Sequence, residues 1–116
     1  MQKLEFSTNW NGKLDCKCFT TIRIYNPQKH YRGAKFDVFL KSLYKAKVEV
    51  LSASVMNITD LTDFVCYLDT GYSRAETISI LQKMYARIDL KNTPIAIVLL
   101  KKIEQPKPKQ TELFNQ

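Results

Sequence analysis

Lys17, Thr20, Thr21 and Arg23 fall within one seven-residue stretch and carry chemistry suited to an anionic or heteroaromatic ligand. Arg23 offers a planar fork of donors that fits a phosphate or a base edge, and each threonine hydroxyl can donate or accept. Trp10, Tyr25 and Tyr72 supply faces on which an unpaired base can stack. Trp10, the chain's single tryptophan, suits a core anchor equally well. The surrounding charge points the same way. The 116 residues include 18 Lys and Arg against 11 Asp and Glu, a formal +7, and such an excess favours a polyanionic partner through phosphate neutralisation.

Other chemistries find less support. Cys16, Cys18, Cys66 and His30 do not make four zinc ligands at a suitable spacing, so we expect reduced thiols, no metal site and no cofactor. Cys66 sits in an apolar helical pattern and reads as a small core residue. His30 lies beside Lys29 and Arg32 in a polar loop, where it suits phosphate contact or plain solvation. Asp37, Asp60, Asp63 and Asp69 show no paired spacing beyond helix capping, which argues against a metal-dependent nuclease. No apolar run approaches the roughly 20 residues that span a bilayer. The start of the chain lacks a signal-peptide pattern, so a cytoplasmic protein without a membrane partner is expected.

The elements that must position these residues change period halfway along the chain. Lys3 to Phe6, Cys18 to Tyr25 and Phe36 to Leu40 read as strands, with turns at Asn11-Gly12 and Asn26-Pro27. Lys45 to Ser54 alternates, placing Ala46, Val48, Val50 and Ser52 on one face. Ser42-Leu43-Tyr44 reads as a tight connection between antiparallel strands. Asp60 then suits the cap of a helix running to about Asp69, with Leu61, Phe64, Val65 and Leu68 as its apolar stripe. Gly71 stops that helix, and Ser73 to Glu76 is a capping box that opens another, on which Ile78, Leu81 and Tyr85 share a face. Ile95 to Leu100 is a continuous apolar run, as in a central strand buried on both faces. Residues 1–103 therefore read as one mostly β, α+β domain, and 104–116 as a flexible Pro/Lys tail.

Three stretches in order carry a family resemblance: Cys16 to Arg23, Gly33 leading into Phe36-Asp37-Val38, and Gly71 to Glu76 running on to Tyr85. Together they resemble the ASCH domain, a small PUA-like β-barrel, over about residues 3 to 103. The resemblance implies a barrel with two α-helices whose cleft receives RNA or a nucleotide, single strands being favoured. Trp10, Lys17, Thr20, Thr21, Arg23 and Tyr72 are then the binding residues. One ASCH branch resembles bacterial acetylcytidine amidohydrolases, whose strand reads Lys-x-x-Thr-x-Arg and pairs with a Glu. In this chain Cys18 takes the lysine position and Thr70 the carboxylate position. Lys17 and Asp69 are the nearest substitutes, acting with Thr21, and Lys17 points to the opposite face of a strand from its neighbour. Binding is therefore the expected activity, with hydrolysis of a modified nucleoside as the alternative.

The tail adds a separate resemblance. Gln110, Leu113 and Phe114 are similar to the short peptide with which bacterial replication and repair proteins grip the sliding clamp. In such a peptide the apolar pair fills a groove while the Gln amide fixes register. An adaptor recruited to the clamp is what this second resemblance implies, and a bacterial or phage source suits both.

Overall fold

β-branched and aromatic residues draw five segments of the chain into one sheet, and a switch to helical periodicity lays two helices over one side of it. The computed structural model describes residues 2–103; the tail residues Gln110, Leu113 and Phe114 lie outside that range. The strands are β1 (Gln2–Phe6), β2 (Cys18–Ile24), β3 (Lys35–Leu40), β4 (Leu43–Met56) and β5 (Ile95–Lys102). The helices are α1 (Asp63–Thr70) and α2 (Arg74–Met84). Sheet order is β1-β3-β4-β5-β2, with β1 parallel to β3 and every other pair antiparallel. The sheet curls strongly into a half-barrel, and β1 and β2 remain its two edges.

The curl separates two apolar clusters. Inside lie Leu4 and Phe6 from β1, Phe19 from β2, Phe36 and Val38 from β3, Val48 and Val50 from β4, and Ala96, Val98 and Leu100 from β5. The other face carries Ile22 and Ile95, packed against Ile58, Leu61, Cys66, Leu81 and Leu90. β5 runs between β4 and β2, and its alternate residues feed both clusters, which explains its unbroken apolar run.

Three local features differ from the sequence expectation. The turn between β3 and β4 is tighter, formed by Lys41 and Ser42 at φ 49° and 69°, so β4 already begins at Leu43. Two successive positive φ values match the twist of the strands they join. Along β4 the alternation breaks. Val50 faces Leu100 but Ser52 faces Leu99, so Leu51 is an extra residue and Ala53, not Ser52, rejoins the inner cluster. Such a bulge bends its strand, and a 14-residue strand must bend to follow the curl.

The third difference concerns α1. Asp60 belongs to a capping box with Asn57 around a single 3-10 turn, Leu61 is extended, and Thr62 caps α1 by accepting from the Val65 N–H at 3.2 Å. Leu61 is buried, but Phe64 and Leu68 are 73% and 60% exposed. The inward face is instead Cys66, Asp69 and Thr70. Asp69 bonds across to Lys13 and Thr20, and Thr70 to Thr77, so polar contacts rather than the apolar stripe set this helix's rotation. Gly71 ends α1 in a left-handed conformation (φ 83°), and Ser73 and Glu76 bond reciprocally to open α2, both as the sequence suggests. Among the described residues no helix is long and apolar enough to cross a membrane.

The two classes of site respond differently to truncation. Leu100→Ala, in the fully enclosed inner cluster, is expected to cost about 2–5 kcal/mol. Phe64→Ala on the exposed side of α1 is expected to stay within about 0.5 kcal/mol. Urea denaturation checks both, and a large loss from Phe64→Ala would show that α1 is rotated differently.

Candidate functional site

The half-barrel leaves a seam between β1 and β2, and Arg23 spans it. Its Nη2 donates to the Glu5 carbonyl on β1 at 3.0 Å, while its Nε donates to Thr21 Oγ1 at 3.0 Å, two residues back on β2. The guanidinium carbon stands 4.6 Å from the Phe6 ring centroid, and the Phe6 and Phe19 rings meet edge to face at 6.2 Å. Side chains thus join two edges that backbone hydrogen bonds do not.

Above the seam, the link from β1 to β2 is wound into a 3-10 segment (Trp10–Asp15) whose Asn11 and Gly12 take left-handed φ values of 57° and 65°. This reversal turns the following Lys13 and Leu14 inward. Asn9 holds the reversal by accepting from the Leu14 N–H at 2.8 Å and donating to Asp15 at 3.0 Å. Lys13 is only 6% exposed, and its Nζ lies 3.1 Å from Oδ1 of Asp69, itself 3% exposed, at the end of α1. The same oxygen accepts from Thr20 Oγ1 at 2.6 Å. Lys13 also stands 5.5 Å from the Phe6 ring centroid.

These groups line the floor of a cleft bounded by Trp10, Lys13, Thr21, Arg23, Asp69 and Met84. The enclosed space is about 30 Å³, enough for one or two waters or for one small polar group. Outside it lies a more open groove lined by Trp10, Tyr72, Ile80 and Lys83, with the Trp10 and Tyr72 rings edge to face at 6.1 Å. Trp10 and Ile80 border both spaces, so aromatic wall and polar floor adjoin.

Burial dominates the electrostatics of the floor. It pushes the Lys13 amine below its ordinary range; Asp69 opposes the shift through its charge and hydrogen bond, and Arg23 adds to it. Arg23 is also pushed down by burial, with Tyr85 and Asp69 acting in the opposite sense.

Most of the residues singled out from sequence meet here; Lys17 and Tyr25 do not, Tyr25 lining a separate cavity with Lys29 and His30. Trp10, Thr20, Thr21, Arg23, Asp69 and Tyr72 converge on the cleft and its mouth. Lys17 does not join them: it is exposed beside Glu49, Leu51, Lys101 and Lys102, and its carbonyl accepts from the Lys102 N–H. The lysine that pairs with Asp69 is Lys13. Thr70, the residue at the carboxylate position, bonds to the Cys66 carbonyl and to Thr77, and both threonines border the cleft. Cys16 and Cys18 are exposed thiols and Cys66 is buried. Among the described residues no three His, Cys, Asp or Glu side chains gather as a metal site. Lys13 escaped the sequence reading because it follows a turn and belongs to no periodic pattern. The Asn-Gly pair before it was its only signal.

Asp69→Ala strands a buried ammonium and is expected to cost about 3–5 kcal/mol at neutral pH. The loss should shrink as pH rises. A lysine whose folded pKa is depressed releases its proton before the unfolded chain does, near 10.4, so stability is gained across that window and lost as pH falls through it. Denaturation of Asp69→Ala at pH 7 and pH 10 checks this; an equal loss at both would show that Lys13 is not the stranded charge.

Comparison with protein-family models, with curated proteins and with solved structures finds no match to this chain, which leaves Lys13, Asp69, Arg23 and the Trp10–Tyr72 wall as the ground for a functional reading.

Proposed function

We propose that this chain is an ASCH-type binding module that takes an RNA strand or a nucleotide at the seam cleft. One observation carries the reading: a buried Lys13–Asp69–Thr20 cluster, with Arg23 beside it, forms the polar floor of a cleft that the chain's only tryptophan also borders. A stacked base gains from Trp10 and Tyr72 without regard to its identity, whereas donors and acceptors at the floor discriminate between ring substituents. The narrow floor suits a substituent rather than a whole base, so the base itself belongs in the open groove.

Because Trp10 is unique, its fluorescence reports the cleft alone. Single-stranded RNA, single-stranded DNA and nucleosides are titrated against it, the oligonucleotides at two salt concentrations. Saturable quenching is expected, with oligonucleotide affinity falling as salt rises. Tyr72→Ala should weaken binding by about 1–3 kcal/mol, roughly 5- to 150-fold. Silence of Trp10 toward every probe, or affinity indifferent to Tyr72, would remove the reading.

A second reading rests on the lowered amine of Lys13 beside a carboxylate and two threonines. Amide hydrolysis needs a base within reach of a water or a nucleophile, and what supports this reading is that Lys13 and Asp69 both border the cleft. In this reading an N-acylated nucleoside is cleaved to the free base amine and the carboxylic acid. Lys13→Ala is expected to abolish turnover followed by chromatography, while Lys17→Ala leaves it unchanged. Absence of turnover by the unaltered chain leaves binding alone.

A further inference from the structure

Arg23 borders a second cavity on the other side from the cleft. Lys3, Arg23, Tyr25, Lys29, His30 and Tyr85 line this space of about 360 Å³, and no carboxylate of the described residues lines it. Asp37, opposite Lys3 on β3, is engaged by Lys47 at 3.0 Å. The Lys3 Nζ stands 5.2 Å from the Phe39 ring centroid, and no carboxylate of the described residues pairs with it.

The loop after β2 is built to present these groups. The Asn26 carbonyl accepts from the N–H of Lys29 and of His30 at 3.0 and 2.8 Å, and its side chain accepts from the Gln28 N–H. Tyr25 is tied to the strand beyond by its N–H to the Pro94 carbonyl at 2.9 Å. His30 Nδ1 accepts from the Asn26 N–H at 3.0 Å, which assigns the proton of the neutral ring to Nε2. Among the described residues nothing accepts from Nε2 and no buried polar side-chain atom is left unpaired, so this donor is not enclosed, and His30 lines the cavity. The Tyr25 and His30 ring centroids are 6.2 Å apart.

We propose that this cavity is a phosphate site, holding a terminal or backbone phosphate of the same nucleotide or strand whose base lies in the cleft across Arg23. In joining the two spaces to one ligand it rests on the proposed function; the demand of Lys3, Arg23, Lys29 and the Nε2–H for an anion does not. A phosphate has the acceptor oxygens and the charge to satisfy a guanidinium, ammonium groups and a ring N–H together. The local field agrees: burial lowers the His30 pKa, and the charges of Arg23 and then Lys29 lower it further, with no acid acting in the opposite sense.

The chain has one histidine and one tryptophan, so each site has its own reporter. Proton NMR follows the His30 ring across pH and the Trp10 indole in parallel. The probes are inorganic phosphate, the four ribonucleosides and their 5′-monophosphates, with sodium chloride at matched ionic strength as the reference. Inorganic phosphate is expected to raise the His30 pKa by about one pH unit over the chloride reference, because an anion favours the charged ring. The Lys3→Ala/Lys29→Ala variant, altered at two exposed positions, should lose most of that rise. Chloride matching phosphate, or a rise undiminished in the variant, overturns the site. Monophosphates that move Trp10 but leave His30 unchanged also overturn it while leaving the proposed function intact. A His30 response with Trp10 silent to every probe keeps the phosphate site and removes the nucleoside reading.

Discussion

A curled sheet that stops short of closing leaves two strand edges facing each other, and the molecule depends on how that seam is satisfied. Exposed edges are a liability, and backbone groups taken from water need partners. Here Arg23 reaches from β2 to the Glu5 carbonyl, and Phe6 and Phe19 fill the space beneath it. The left-handed Asn11-Gly12 reversal then brings Lys13 over the same gap. The seam is therefore closed by polar side chains, which are the groups a ligand can address.

The Lys13–Asp69 pair shows the energetic side of that arrangement. Desolvating two charges costs several kcal/mol each, and a well-packed apolar pair of similar volume is often as stable. Stability alone thus gives weak reason for the pair. It does fix geometry: one carboxylate oxygen ties the β1–β2 link, β2 and the end of α1 together. That tie also accounts for the outward turn of Phe64 and Leu68, since α1 cannot present both Asp69 and its apolar stripe to the same sheet. The helix follows its buried charge.

The same competition decides what was legible from sequence. β5 could be read from its apolar run and α2 from Ser73 and Glu76, because each signal is local and nothing distant opposes it. The rotation of α1 could not, since its partner Lys13 lies 56 residues away in the chain. The Leu51 bulge was equally hidden, because the curl that requires it belongs to the whole sheet. Arg23, Thr20 and Thr21 were legible as a cluster on one strand. Their roles were not, since Thr20 reaches Asp69 and Thr21 holds Arg23 from successive positions on a strand at the sheet's edge. At such an edge both faces of a strand can contribute to one cleft, and simple alternation loses its force.

Arg23 gives the two cavities a common electrostatic element. Its charge lowers the Lys13 amine on one side and the His30 ring on the other. An anion seated against it from either side offsets that charge for both. Neutralisation from the Lys29 side would ease the smaller, electrostatic part of the Lys13 shift, the larger part being set by burial. Proton affinity, anion binding and the closure of the seam are then linked through one guanidinium, and linkage of this kind is reciprocal. Any anion at the second cavity would thus be felt at the cleft floor, through Arg23, without touching Lys13 or Asp69.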